Sequence, residues 1–108
     1  IMVEYDIKKG WHSNIEGDKL REMMARIFGN AKAEGNMVVS EYGILSRIEV
    51  EVLSKTSMHV ATESAKDGLT DEAILDAKRK LNVFVEEATG FDVKARKKRA
   101  QDKAKKGY

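Results

Sequence analysis

Cysteine is absent from this sequence, and so is proline. Without a thiol there is no disulfide, no thiolate metal site and no cysteine nucleophile. Without proline, every turn must be made by Gly, Asn, Asp or Ser. No apolar run approaches the roughly 20 residues of a membrane-spanning helix. The opening stretch MVEYDIKKG alternates apolar and charged residues where an export signal needs an apolar block. A cytoplasmic protein is therefore expected. The two histidines, His12 and His59, do not fall in an HExxH-type spacing, and the glycines are scattered singly instead of forming a phosphate loop. Ser13, Ser40, Ser46 and Ser57 lack the context of a nucleophile elbow. These absences predict a protein that is no enzyme, with no catalytic, metal or cofactor-binding residues.

What the chain has in quantity is charge. Charged residues make up 35% of it against 42% hydrophobic, a soluble globular balance, and 108 residues allow one domain with one core. The net charge of +2 hides a partition. Residues 1–93 hold 12 Lys and Arg against 17 Asp and Glu, a net of −5, whereas residues 94–108 hold 8 against 1, a net of +7. An acidic body followed by a basic tail is the charge asymmetry of an interaction arm, or of a tail that folds back on its own body.

The hydrophobic pattern changes period along the body. In VEYDIK, Val3, Tyr5 and Ile7 alternate with Glu4, Asp6 and Lys8, the repeat of a half-buried strand. EGDKLREMMARIFGN then places Leu20, Met23, Met24, Ile27 and Phe28 on one helical stripe that ends at a Gly. Between Ala31 and Ala65 the period is two again. A hairpin is predicted around Gly35-Asn36. ILSRIEVEVL points Ile48, Val50 and Val52 one way and Arg47, Glu49 and Glu51 the other, and TSMHVATES sets Met58, Val60 and Thr62 against Ser57, His59, Ala61 and Glu63. GLTDEAILDAKRKLNVFVEEATG carries a Thr70 cap, an acidic first turn, a Gly90 stop and the stripe Ile74, Ala77, Leu81, Phe84, Val85 and Ala88. The expected fold is α+β: a two-layer sandwich of about five antiparallel strands with two helices on one face, in the order β-α-β-β-β-β-α. It occupies residues 2–93, and residues 94–108 form a basic tail that is either helical or disordered.

This order resembles one repeat of the TATA-box-binding-protein fold. The chain as a whole, with GILSRIEVEV followed by LTDEAI and a Lys-rich end, also resembles an uncharacterised family of short archaeal proteins with that architecture. The resemblance implies a topology and no activity.

A protein of TATA-binding type reads the minor groove with its open sheet face. Here that face is expected to show Glu4, Asp6, Glu49, Glu51 and Glu63 against Lys8 and Arg47, a charge that repels phosphates. The tail is the better candidate: Lys94, Arg96, Lys97, Lys98, Arg99, Lys103, Lys105 and Lys106 are suited to phosphates or to an acidic protein. Tyr108 alone offers a stacking ring. On a short helix the tail would be capped by Asp92. Met23 and Met24 are expected in the core, His59 as a solvated strand residue, and Trp11 closing the core or lining a pocket with His12. The expected function is a small binding module that associates non-specifically with nucleic acid or an acidic partner through its tail. The alternative is a structural or regulatory domain that pairs as a homodimer through an exposed sheet edge, its tail only solubilising.

Overall fold

The computed structural model describes residues 2–106, and the side chains among them as far as residue 102. Five strands, β1 (Met2–Asp6), β2 (Lys32–Glu34), β3 (Met37–Tyr42), β4 (Leu45–Ser54) and β5 (Ser57–Ser64), form one antiparallel sheet in the order β1-β5-β4-β3-β2. Three helices accompany it: α1 (Lys19–Phe28), α2 (Asp71–Thr89) and α3 (Val93–Lys106). A 3₁₀ turn at His12–Asn14 links β1 to α1. The architecture is the expected α+β sandwich, and of the two states expected for the basic tail the structure shows the helix, α3. That helix carries no long apolar stripe; it forms from Lys, Arg, Ala and Gln, all strong helix formers, behind the Asp92 cap.

Strands β2 to β5 run as a meander because β2, β3 and β4 are each followed by a short turn that suits a hairpin. Gly35 has φ +63° and Asn36 a negative φ, the combination of a type II′ turn, and Glu34 and Met37 pair across it. The β3–β4 register shifts between Ser40 and Tyr42. The unpaired backbone there is taken up by Asn30, whose side chain accepts from the Glu41 N–H at 2.9 Å and donates to the Glu41 carbonyl at 2.8 Å. The bulge is thus closed by the second residue after α1.

The core lies between one sheet face and helices α1 and α2. Ile48, Val50, Met58 and Val60 meet Leu20, Met24, Ile27 and Phe28 from α1 and Ala77, Phe84, Val85 and Ala88 from α2. Met24 is fully buried and Met23 packs at the core's margin. Each large side chain withdrawn here is worth about 1.5–3 kcal/mol. In the α2 stripe Ala77, Phe84, Val85 and Ala88 are buried and Leu81 is half-buried, whereas Ile74 at its start remains 39% exposed.

The end of α2 is a crowded joint that directs the rest of the chain. Thr70 caps the helix start by accepting from the Ala73 N–H, and Gly90 ends it in the left-handed conformation, φ +80°. The Trp11 indole lies against Gly90 so closely that a Cβ there would sit 2.7 Å from the ring. The Lys8 N–H donates to the Thr89 carbonyl at 2.8 Å, so β1 ends at Asp6 and Lys8 joins the helix terminus instead of the sheet. From this joint the chain turns back toward β1 as α3.

Candidate interaction surfaces

The open face of the sheet follows from the register. Residues opposite one another share a face, which puts Glu4, His59, Glu51, Met37 and Glu34 in one row and Met2, Ala61, Glu49, Val39 and Lys32 in the next. Asp6 and Ser57 flank these rows at one end, and Arg47 and Glu63 at the other. The face therefore carries the five carboxylates read from the sequence, and Glu34 besides. Glu34 is a residue that the short β2 run did not advertise. Arg47 is shared between Glu49 and Glu34, and hydrogen bonds to these two carboxylates hold its guanidinium above its ordinary pKa. Glu4 accepts from Ser57 at 2.9 Å and lies 3.5 Å from His59. Glu51 and Glu63 keep carboxylates without hydrogen-bond or ion-pair partners among the described residues. Lys8, expected on this face, is not on a strand at all.

Helix α3 is built on the opposite principle. Asp92 caps it, its side chain accepting from the Ala95 N–H at 2.8 Å. Arg96 donates to the Phe91 carbonyl at 2.7 Å and to the Asn82 side-chain oxygen at 2.9 Å, with its guanidinium 5.7 Å from the Tyr5 ring centre. Arg99 donates from Nε to Asp6 at 3.1 Å and lies 4.5 Å from the Phe91 ring centre. Tyr5 and Asp6 point to opposite faces of β1, so contacts to both place α3 along the outer edge of that strand. A small cleft of about 140 Å³ separates them, lined by Glu4, Tyr5, Asp6, Phe91, Arg96, Arg99 and Ala100.

The cations expected to act as one set are thus divided. Arg96 and Arg99, at i and i+3, face the body. Lys94, Lys97 and Lys98, at i, i+3 and i+4, are exposed and have no ion-pair partner among the described residues. The side chains of Lys103, Lys105 and Lys106, and all of Tyr108, lie outside the described residues. Sequence reasoning missed Asp6 and Phe91 as the seat of the helix; their distance along the chain from Arg99, and the lack of any motif around them, left no signal to find.

The remaining candidates take ordinary structural places. Trp11 is half-buried against the core and Gly90. His12 lies 3.5 Å from Glu16 and lines an open cleft of about 320 Å³ between the 3₁₀ turn and the β2–β3 hairpin, a cleft that Trp11 does not reach. No group of three or more His, Asp or Glu able to hold a metal occurs among the described residues. No helix among them is long and apolar enough to cross a membrane.

Comparison with known proteins joins the chain to an uncharacterised group. A family model described as a domain of unknown function (DUF5611) matches residues 2–102. Among solved structures, the chain is similar to the NMR solution structure of hypothetical protein TA0095 from Thermoplasma acidophilum, an archaeon. The two share 31% identity and a TM-score of 0.63, over 90% of this chain and 95% of that one. No curated protein matches.

Proposed function

The chain belongs to the DUF5611 family, a domain of unknown function, and from that premise we propose that it is a small non-enzymatic binding module whose helix α3 holds the phosphate backbone of nucleic acid without reading sequence. The observation that carries the reading is the lysine face: Lys94, Lys97 and Lys98 stand exposed, and unpaired among the described residues, on one side of a helix whose other side is anchored. A held helix meets phosphates with little loss of backbone freedom, and each lysine acts there as a point charge. The likeness to the TATA-box-binding-protein topology does not move the site to the sheet. The open face that such a fold would use bears six carboxylates, Glu4, Asp6, Glu34, Glu49, Glu51 and Glu63, and repels a polyanion.

The test is a salt series with the full chain and a short duplex. Log affinity should fall linearly with log salt at a slope of roughly three to five, about 0.9 for each phosphate neutralised. Reversing Lys94, Lys97 and Lys98 to Glu should abolish binding. Equal affinity for polyglutamate would reassign the partner to an acidic protein, and absence of binding at low salt would overturn the reading.

A second reading rests on β1. Its outer edge has no strand beside it and is met by α3 only through the polar contacts at Tyr5 and Asp6, while Met2 and Val3 are 68% and 39% exposed, in a strand without proline or bulge to blunt pairing. Pairing of two copies along this edge would displace α3 from Tyr5 and Asp6 and give a homodimer, detected as a concentration-dependent mass in sedimentation that salt does not dissolve.

A further inference from the structure

The two arginines of α3 are held differently. Arg96 spends both of its terminal nitrogens on the body, one on the Phe91 carbonyl and one on Asn82. Arg99 spends only Nε, on Asp6, while its plane is held against the Phe91 ring and its side chain stays 48% exposed. A guanidinium has five N–H donors. The four on the Nη atoms of Arg99 therefore have no hydrogen-bond partner among the described residues. Two fixed attachments and a free fork are the arrangement that bidentate recognition of a phosphate requires.

We infer that Arg99 is a preorganised phosphate anchor within the basic surface. This rests on the reading of α3 as a nucleic-acid surface and distinguishes one residue in it. The lysines contribute mobile charge, whereas Arg99 presents Nη1 and Nη2 along its outer edge to two oxygens of one phosphate. Asp6 serves as its positioning residue. The cleft that Arg96 and Arg99 line also holds Glu4 and Asp6, whose negative charge offsets the arginines there and disfavours an anion inside it. The phosphate therefore meets the fork from the solvent side. The Phe91 and Tyr5 rings are each faced by a guanidinium, at 4.5 and 5.7 Å, and so are occupied by the arginines and not offered to bases.

Charge-conserving exchange separates anchor from bulk charge. In the full chain, with a short DNA duplex at fixed salt, Arg99→Lys should lose roughly tenfold in affinity, the worth of a charge-assisted bond pair lost. Its salt slope should not change, because the number of cations is the same. Lys98→Arg should stay within about twofold. Unchanged affinity of Arg99→Lys would overturn the anchor. Because that variant can also unseat α3, the arginine side-chain N–H resonances of the unaltered protein give a second measure. On adding duplex those of Arg99 should shift and exchange more slowly while those of Arg96 stay in place; stationary Arg99 signals would show it to be a structural pin only and would overturn the inference. A duplex that binds, is lost on reversing the three lysines and ignores Arg99→Lys refutes this inference alone. No binding by the unaltered chain refutes the underlying reading as well.

Discussion

Helices α2 and α3 are separated by only three residues, Gly90 to Asp92, and are attached to the molecule by different forces. Helix α2 buries Ala77, Phe84, Val85, Ala88 and Thr89, and Phe84 meets Phe28 with ring centres 5.5 Å apart. Helix α3 has no buried residue among its described side chains and is held by guanidinium groups on Asp6, Phe91, Asn82 and Tyr5. The first attachment grows with apolar area, is indifferent to salt and tolerates no polar substitution. The second is worth a few tenths to one kcal/mol per exposed pair, weakens with salt and leaves the rest of the helix free for other work. One helix completes the fold; the other is presented by it.

Four changes would break or sharpen that contrast. The largest effect belongs to Phe84→Ala, which should cost about 3–5 kcal/mol in urea unfolding because it opens a cavity in a fully buried site. A loss below about 1 kcal/mol would mean that α2 is no more firmly packed than α3. Next comes Gly90→Ala at the joint. A left-handed residue with a Cβ costs about 1–2 kcal/mol, and displacement of the Trp11 ring raises the total to about 2–3 kcal/mol. Thermal melting of this variant should fall well below that of the parent; an equal melting temperature would show that the joint yields freely.

Ending the chain at Val93 removes α3 but only surface pairs, so the melting temperature should drop by less than about 5 °C. A larger drop would place α3 among the structural helices. The smallest effect concerns a polar attachment of α2. Tyr42 donates to Asp76 at 2.8 Å, and this hydrogen bond, with burial and the Asp76 charge, raises the phenol above its ordinary pKa. The neutral phenol is the favoured form. The bond's contribution is therefore complete below the ordinary tyrosine value of about 10 and is lost as pH rises through the raised one. Ring resonances of Tyr42 should titrate late in the parent and earlier in Asp76→Asn, with melting near neutral pH almost unchanged. A large loss of stability in Asp76→Asn would mean that α2, too, depends on polar contacts.

The strand and helix pattern of the body was legible because each element writes its burial in a period. Ile48, Val50, Met58 and Val60 alternate with outward residues, Thr70 and Gly90 bracket α2, and the register then puts the carboxylates on the open face. The bulge at Glu41 was not legible, since its remedy is the side chain of Asn30, in the connection between α1 and β2. Nor was the division of the tail. A run of eight cations looks uniform along the chain, and only the turn at Gly90 gives Arg96 and Arg99 a body to face and leaves Lys94, Lys97 and Lys98 without one.

By itself, then, the sequence determined the periods, the caps, the acidic body and the basic end, because propensity, capping and side-chain alternation act between residues a few positions apart. Only the tertiary structure decided which cations are spent and which are free. That choice depends on bringing Asp6 against Arg99 across nearly the whole chain. Such a meeting is set by the packing of β1, Trp11 and the α2 terminus, and no local rule of sequence encodes it.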